Sequence, residues 1–221
     1  QSQPPQVAER ELTAEELRYA LHNEQMVLHY QPQFNVATGT LSGVEALVRW
    51  QHRELGLIYN DRFISLAEDN GLMRDLTHWI SRAVVRQEQL WQSTEVPVIV
   101  SVNISADDIT SLTLPEYLTE LLADNKLDPT RLTLEVTESA LMGELKTALD
   151  ILTRVRMKGF GLSIDDFGTG NSSLVMLHRI PFSELKIDMS FVKNMDKDVD
   201  AYAIVETCVM LGHKLHMTVV A

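Results

Sequence analysis

Residues 132–166 read LTLEVTESALMGELKTALDILTRVRMKGFGLSIDD, and this stretch decides the fold of the chain. Residues 132–136 and 160–165 are short apolar runs, which is typical of buried strands. Between them, residues 144–158 carry apolar side chains at helical spacing, and the helical pattern stops at Gly159. A strand, a helix and a second strand in this order predict neighbouring parallel strands.

The same alternation continues on both sides of this stretch. Further strands are predicted at 98–104, 184–188 and 217–221, and helices at 73–91, 115–125, 172–179 and 200–215. Closer to the N-terminus, apolar runs at 27–34 and 41–50 predict two antiparallel strands, and Thr13 with Glu16 predicts the capping box of a first helix. We therefore predict an α/β fold with a parallel sheet, either open or closed into a barrel.

The overall charge excludes several classes of partner. The chain has 31 acidic and 19 basic residues, a net charge of −12 over 221 residues. This balance argues against nucleic acid and against a membrane contact, because both need a basic face. A phosphorylated small molecule stays compatible, since a bound metal reverses the local sign of charge. A single Cys208 and the lack of a long apolar run predict a cytoplasmic protein.

Polar side chains stand at the C-terminal ends of the predicted parallel strands. They are Asn103, Glu135, Asp165, Asp166 and Lys186. In parallel α/β sheets these strand ends meet on one face, where active sites lie. Glu45 interrupts an apolar strand and is a further candidate. Carboxylate and amide oxygens suit Mg²⁺, Mn²⁺ or Ca²⁺ rather than Zn²⁺. The alternative for any one acid is that it faces solvent.

Seven short motifs carry a resemblance to a known family. In chain order they are Tyr30-Gln31-Pro32, Glu45-Ala46-Leu47, Val48-Arg49-Trp50, Val102-Asn103-Ile104-Ser105, Leu134-Glu135-Val136-Thr137-Glu138, Asp165-Asp166-Phe167-Gly168-Thr169-Gly170 and Leu185-Lys186-Ile187-Asp188. Together they resemble the EAL domain family over residues 15–221. The resemblance implies a TIM-like barrel whose first strand runs antiparallel, and a phosphodiesterase that opens cyclic di-GMP to the linear dinucleotide pGpG.

The resemblance also implies a metal centre and its chemistry. Two divalent cations, Mg²⁺ or Mn²⁺, would be held by Glu45, Asn103, Glu135, Asp165 and Asp166. Lys186 would orient the attacking water, and Glu45 would be a catalytic residue as well as a ligand. Two metals provide a nucleophile, charge neutralisation and leaving-group stabilisation, which are the needs of phosphodiester hydrolysis.

Other residues receive roles around the substrate from the same resemblance. Gln31 and Arg49 would contact the phosphates of cyclic di-GMP, and Asp188 would also touch the substrate. Glu138 would anchor the loop 167–173, which in the family supports a homodimer.

The ends of the chain suggest a piece of a longer protein. We expect residues 1–14, with Pro4-Pro5 and no initial Met, to be a linker from an upstream regulatory domain. In the family, the strand that ends here at Ala221 is followed by a conserved acidic stretch, a last strand and a helix. We therefore expect a barrel truncated before its last strand, with weak or no turnover.

Two other functions are compatible with this reading of the sequence. One is a receptor module that binds cyclic di-GMP without cleaving it, although none of the expected site residues is replaced here. The other is a sugar-phosphate barrel enzyme, which shares the fold but has no motif in its favour.

Overall fold

The computed structural model describes residues 10–93, 98–169 and 174–221, without the side chains of residues 174 and 175. Its helices are α1 (Ala14–His22), α2 (Ile64–Asp69), α3 (Met73–Ser93), α4 (Leu114–Asp124), α5 (Leu145–Met157), α6 (Leu174–Arg179), α7 (Met189–Asn194) and α8 (Val199–Lys214). Its strands are β1 (Met26–Phe34), β2 (Leu41–His52), β3 (Gly56–Tyr59), β4 (Ile99–Asn103), β5 (Leu132–Thr137), β6 (Gly161–Phe167), β7 (Glu184–Ile187) and β8 (Thr218–Val220).

One curled sheet contains all of these strands. The order is β1-β2-β4-β5-β6-β7-β8. Strand β3 lies outside this order and pairs antiparallel with residues 49–52 of β2. Strand β1 is antiparallel to β2, and every pair from β2 and β4 onward is parallel. The predicted α/β fold and its antiparallel first strand are therefore confirmed. Within the described ranges, β1 and β8 stand at the two ends of this strand order.

The two faces of the sheet differ in chemistry because successive side chains in a strand point to opposite sides. One face is apolar and buried, with residues such as Val102, Leu134 and Ile164 in the core beneath the helices. The opposite face, called here the polar face, carries Glu45, Ser101, Asn103, Thr133, Glu135, Ser163, Asp165, Glu184 and Lys186. Most TIM-barrel interiors are filled by branched apolar side chains, so a polar face on this side marks a site.

Local sequence signals explain where several helices begin and end. The Thr13 side chain accepts from the Glu16 backbone N–H, and the Glu16 carboxylate accepts from the Thr13 N–H, which confirms the predicted capping box. Helix α4 has a proline in its first turn, as predicted. Gly159 follows α5 with φ of +99°, a conformation that glycine adopts without steric cost.

The sequence patterns missed three short elements. They are β3, α2 and α7, each of four to six residues. Elements this short contain too few residues to show a period of 2 or 3.6 clearly. Residues 1–9 of the predicted linker, and the first residues of the predicted helix 172–179, lie outside the described residues. Along the described ranges, no helix has both the length and the apolar character needed to cross a membrane.

Candidate active site

Three carboxylates from three strands converge on the polar face. Glu45 on β2, Glu135 on β5 and Asp165 on β6 each offer an oxygen, and these oxygens lie within 4.8 Å of one another. We call these three residues the acidic cluster. The strand register explains the convergence. Glu45 pairs with Ser101 on β4, and Asn103, two residues further along β4, pairs with Glu135 on β5. Three hard oxygen ligands this close together fit Mg²⁺ or Mn²⁺.

Lys186 on β7 is in contact with the whole acidic cluster. Its Nζ donates to Glu135 Oε2 at 2.6 Å, to Glu45 Oε2 at 3.0 Å and to Asp165 Oδ2 at 3.0 Å. The Lys186 side chain is 11% exposed and that of Glu135 is 0% exposed. One ammonium therefore neutralises part of a group of three carboxylates in a place that water hardly reaches.

Burial and charge act on the pKa values of this group in opposite directions. The pKa of Glu135 is raised to about 8, because burial and the carboxylates of Glu45 and Asp165 raise it by more than the Lys186 ammonium lowers it. Burial alone would lower the pKa of Lys186, but the carboxylates of Glu135, Glu45 and Asp165 raise it by more. Lys186 therefore stays charged, and the group retains a proton near neutral pH.

Asn103 and Asp166 lie beside the acidic cluster. Asn103 Nδ2 donates to Glu45 Oε1 at 2.8 Å, so the amide orients that carboxylate. Asp166 follows Asp165 at a register shift between β6 and β7 and has φ of +55°. Such a bulge turns two consecutive residues toward one site, and aspartate tolerates the left-handed conformation better than most residues. Asp166 is outside the group of three oxygens within 4.8 Å.

Asp166 and Asp188 are two interacting carboxyl groups next to the acidic cluster. Burial raises the pKa of Asp166, and the neighbouring Asp165 and Asp188 raise it further. Asp188 caps α7: its side chain accepts from the Ser190 N–H at 2.8 Å and from the Ser190 hydroxyl. These bonds, with the one to Asp166, lower the pKa of Asp188. The sequence predicted both residues, but it did not predict that they face each other.

The residues predicted for substrate phosphates sit on β1 and β2. Gln31 is the register partner of Glu45 and is exposed, so it borders the acidic cluster on the polar face. Arg49 is largely buried, and its Nη1 donates to Val48 O at 2.8 Å and to Asn60 Oδ1 at 3.2 Å. The Arg49 guanidinium also lies 4.9 Å from the centre of the Tyr59 ring.

Glu138 follows β5 directly and is buried. Its backbone N–H donates to the Asp165 carbonyl at 3.2 Å, which ties the end of β5 to the end of β6. The predicted partner of its side chain is the loop 167–173, and residues 170–173 of that loop lie outside the described residues. Its anchoring role stays a prediction.

Four residues near the site were missed by the sequence patterns. They are Tyr59, Asn60, Ser163 and Glu184. Ser163 and Glu184 precede Asp165 and Lys186 by two positions, so the strand period of 2 was the signal that could have found them. Tyr59 and Asn60 give no comparable signal, because their position depends on the unpredicted strand β3.

Comparison with known proteins identifies the family. The profile of the EAL domain matches residues 14–221. This chain belongs to the EAL domain family. It is 42% identical over 207 residues to the bifunctional diguanylate cyclase/cyclic di-GMP phosphodiesterase MucR of Pseudomonas aeruginosa, covering 93% of this chain and 30% of MucR.

Two further comparisons give one similar protein and one similar solved structure. It is 40% identical over 208 residues to the cyclic di-GMP phosphodiesterase NbdA of P. aeruginosa, covering 94% of this chain and 27% of NbdA. The solved PaMucR phosphodiesterase in complex with c-di-GMP aligns with a TM-score of 0.88 and 41% identity, over 93% of this chain and 83% of that chain. The chain thus spans less than a third of the length of MucR and NbdA.

Proposed function

We propose that this EAL domain is a metal-dependent phosphodiesterase that hydrolyses cyclic di-GMP to pGpG. The observation that carries the proposal is the acidic cluster, whose three oxygens lie within 4.8 Å of one another against Lys186. The similarity to MucR and NbdA, both named as cyclic di-GMP phosphodiesterases, supports the choice of substrate.

The residues that would hold two Mg²⁺ or Mn²⁺ ions are Glu45, Asn103, Glu135, Asp165 and Asp166. Bound divalent ions would supply an activated water and would neutralise charge on the phosphate. In the reaction, water adds to one phosphodiester phosphorus, the bond from phosphorus to the ribose 3′ oxygen breaks, and that oxygen leaves as a hydroxyl. The Lys186 ammonium, which contacts the three carboxylates of the acidic cluster, would orient the attacking water.

The phosphates of cyclic di-GMP would meet the cationic side of the site. Arg49 is held in place by Asn60 and by the face of Tyr59, so its guanidinium is oriented before the substrate arrives. The Gln31 side-chain amide, next to Glu45 in the strand register, would donate a hydrogen bond to a substrate phosphate. Asp188, at the start of α7, would also contact the substrate.

The test is hydrolysis of cyclic di-GMP in Mn²⁺, with product separation by chromatography. Because weak or no turnover is expected of this chain by itself, the assay uses the full-length protein. We expect pGpG from the full-length protein and none from its Asp165→Asn variant, which lacks one carboxylate of the acidic cluster. Asp150→Asn is the matched control, because Asp150 is a solvent-facing aspartate on α5. Turnover by Asp165→Asn at the parent rate would overturn the metal role of Asp165.

The same experiment separates the enzyme from a receptor module. Calorimetry that shows binding of cyclic di-GMP, together with no pGpG from either this chain or its full-length parent, would favour the receptor. The upstream regulatory domain, the homodimer through 167–173 and the truncation before the last strand stay predictions.

A further inference from the structure

Three polar residues from adjacent strands form a row across the polar face. Two of them lie two residues before Asp165 and Lys186 in their strands. Glu135 on β5 is the register partner of Ser163 on β6, and Ser163 is the register partner of Glu184 on β7. We call these three residues the inner row. Ser163 and Glu184 have no part in the function proposed above.

Each residue of the inner row has a buried oxygen that lacks a hydrogen bond. These atoms are Glu135 Oε1, Ser163 Oγ and Glu184 Oε1, and none meets the full geometry of a hydrogen bond among the described residues. Burial raises the pKa of Glu184 and the nearby Ser163 hydroxyl lowers it, so these two side chains lie close to each other. Glu135 and Ser163 are 0% exposed, so bulk water does not satisfy them. Buried polar atoms without a partner are costly and rare in native proteins, so three in one row indicate a bound molecule.

The three side chains of the inner row come from adjacent strands and differ in length. Neighbouring strands lie about 4.8 Å apart, which puts the two glutamates about 10 Å apart with the short Ser163 between them. The Glu135 side chain reaches across β6 to Lys186 on β7. A molecule bound to all three residues would therefore lie beside Ser163 and between the two carboxyl groups.

The hydrogen-bonding chemistry of the row matches water. In the ionised form of Glu135 that binds a cation, Glu135 Oε1 is an acceptor, as is Oε1 of an ionised Glu184, and the Ser163 hydroxyl is a donor. A water molecule has two O–H groups to give and a lone pair to accept with, and buried waters typically make about three hydrogen bonds. Water can also reverse one of its bonds if the Glu184 carboxyl holds a proton.

We propose that the inner row binds one internal water, which donates to Glu135 Oε1 and to Glu184 Oε1 and accepts from the Ser163 hydroxyl. Its effect is to fix the plane of the Glu135 carboxylate. When the water is hydrogen-bonded to Glu135 Oε1, the other oxygen of that carboxylate is directed to Lys186. Glu135 Oε2 lies 2.6 Å from Lys186 Nζ. Ser163 and Glu184 are thus positioning residues for a metal ligand, and this consequence rests on the proposed function.

The main test measures Mn²⁺ affinity by calorimetry in Glu184→Met, Glu184→Gln and Ser163→Ala. Outer partners of metal ligands typically change metal affinity by 10–100-fold, and we expect Glu184→Met to weaken Mn²⁺ binding by about that factor. Glu184→Gln keeps a hydrogen-bonding oxygen and should stay within about threefold of the parent. Glu206→Met is the control, because Glu206 is exposed on α8.

A second measurement looks for the water itself. A high-resolution crystal structure of the parent chain should show one water in contact with all three residues, and the structure of Glu184→Met should lack it. Replacement of Na⁺ and K⁺ by choline should leave Mn²⁺ affinity unchanged. A dependence on either ion would mean that a monovalent cation occupies the row and would overturn the assignment to water.

The outcomes separate this inference from the proposed function. Mn²⁺ binding needs no turnover, so a full-length protein that binds Mn²⁺ and leaves cyclic di-GMP intact overturns the function alone. Glu184→Met with parent-like Mn²⁺ affinity and a lower melting temperature would show that Glu184 only packs. A parent chain that binds no Mn²⁺ overturns the positioning role, and the crystal structure still decides whether the water is present.

Discussion

The Lys186 ammonium donates to Glu135 Oε2 over 2.6 Å, and the Glu135 side chain is completely buried at that contact. Glu45 and Asp165 share the same ammonium at 3.0 Å. Removing one member of a buried ion pair costs more than the pair contributes, because the remaining charge is left without compensation. Lys186 therefore has two roles that can be measured separately, one in stability and one in catalysis.

Lys186→Met should destabilise the chain most strongly when divalent cations are removed. In EDTA at pH 8, we expect the free energy of unfolding to fall by about 3 kcal/mol, as measured by urea denaturation. Mn²⁺ should recover much of this loss, because it supplies positive charge to the same carboxylates, while turnover of cyclic di-GMP stays lost. Lys197→Met is the control, since the Lys197 side chain is 80% exposed. Equal destabilisation in EDTA and in Mn²⁺ would contradict this account.

Mn²⁺ binding should release a proton at mildly acidic pH. Burial raises the pKa of Glu135 to about 8, and a carboxyl group must lose its proton to bind a cation. Calorimetry at pH 6.5 in two buffers of different ionisation enthalpy should therefore give different apparent enthalpies, and the difference should shrink at pH 9. Affinity should rise with pH up to about 8. Enthalpies that agree between buffers at pH 6.5 would show that Glu135 is already ionised.

The same raised pKa fixes the sign of the pH effect on stability in EDTA. Between the ordinary value of 4.5 and the folded value of about 8, the folded chain holds a proton that the unfolded chain has released. The contribution of Glu135 is therefore present at low pH, and it is lost as the pH rises through that window. Glu135→Gln should flatten this part of the pH profile.

Arg49→Lys should affect the substrate and leave the metals alone. Lysine cannot reproduce the contacts of the guanidinium with Asn60 and with the Tyr59 ring, so its charge would be less well placed. We expect KM for cyclic di-GMP to rise by about tenfold or more, in line with the loss of a hydrogen bond to a charged group. Asn60→Ala should raise KM by less, and neither variant should change Mn²⁺ affinity.

A matched control for that experiment is Arg53→Lys. The Arg53 guanidinium also lies over a tyrosine, 5.2 Å from the centre of the Tyr19 ring, but Arg53 follows the C-terminal end of β2, whereas Arg49 and Glu45 lie within that strand. Its KM should equal that of the parent chain. An equal rise in KM for both arginine variants would show that the effect is one of general charge rather than of a phosphate contact.

The parts of the fold that were predictable are those with strong periodicity. The parallel strands are apolar runs because their helix-facing side is fully buried, and α5 shows its stripe over thirteen residues. Asn103, Glu135, Asp165 and Lys186 could be placed together because strand ends of a parallel sheet share an edge. Sequence order alone therefore predicted that these side chains lie on one edge of the sheet.

The geometry inside the site was not predictable in the same way. That Lys186 touches all three carboxylates depends on how strongly the sheet curls, which no local pattern reports. The pairing of Asp166 with Asp188 depends on the register shift in β6. The inner row combines residues from three strands. The strand period of 2 places Ser163 on the same face as Asp165, but it does not show that Ser163 is buried beside Glu135 and Glu184.

Gly161→Ala should disturb both stability and the metal site. A Cβ on Gly161 would lie 2.3 Å from Thr133 Oγ1 and 3.1 Å from Thr133 Cβ, across the pairing of β5 and β6. Overpacking of this kind costs about 1–3 kcal/mol in the free energy of unfolding, which urea denaturation would measure. Because Glu135 and Ser163 are the next pair along these strands on the same face, forcing the strands apart should also weaken Mn²⁺ binding.

The double variant Gly161→Ala with Thr133→Ala tests that explanation. Removal of Thr133 Oγ1 takes away the closest contact but leaves the one at 3.1 Å, so we expect a partial recovery of both stability and Mn²⁺ affinity. The two substitutions should then be non-additive, as for residues in direct contact. Strictly additive effects would mean that Gly161 is needed for backbone freedom rather than for space. In that case the stability lost in Gly161→Ala would come from the backbone at residue 161 and not from the clash with Thr133.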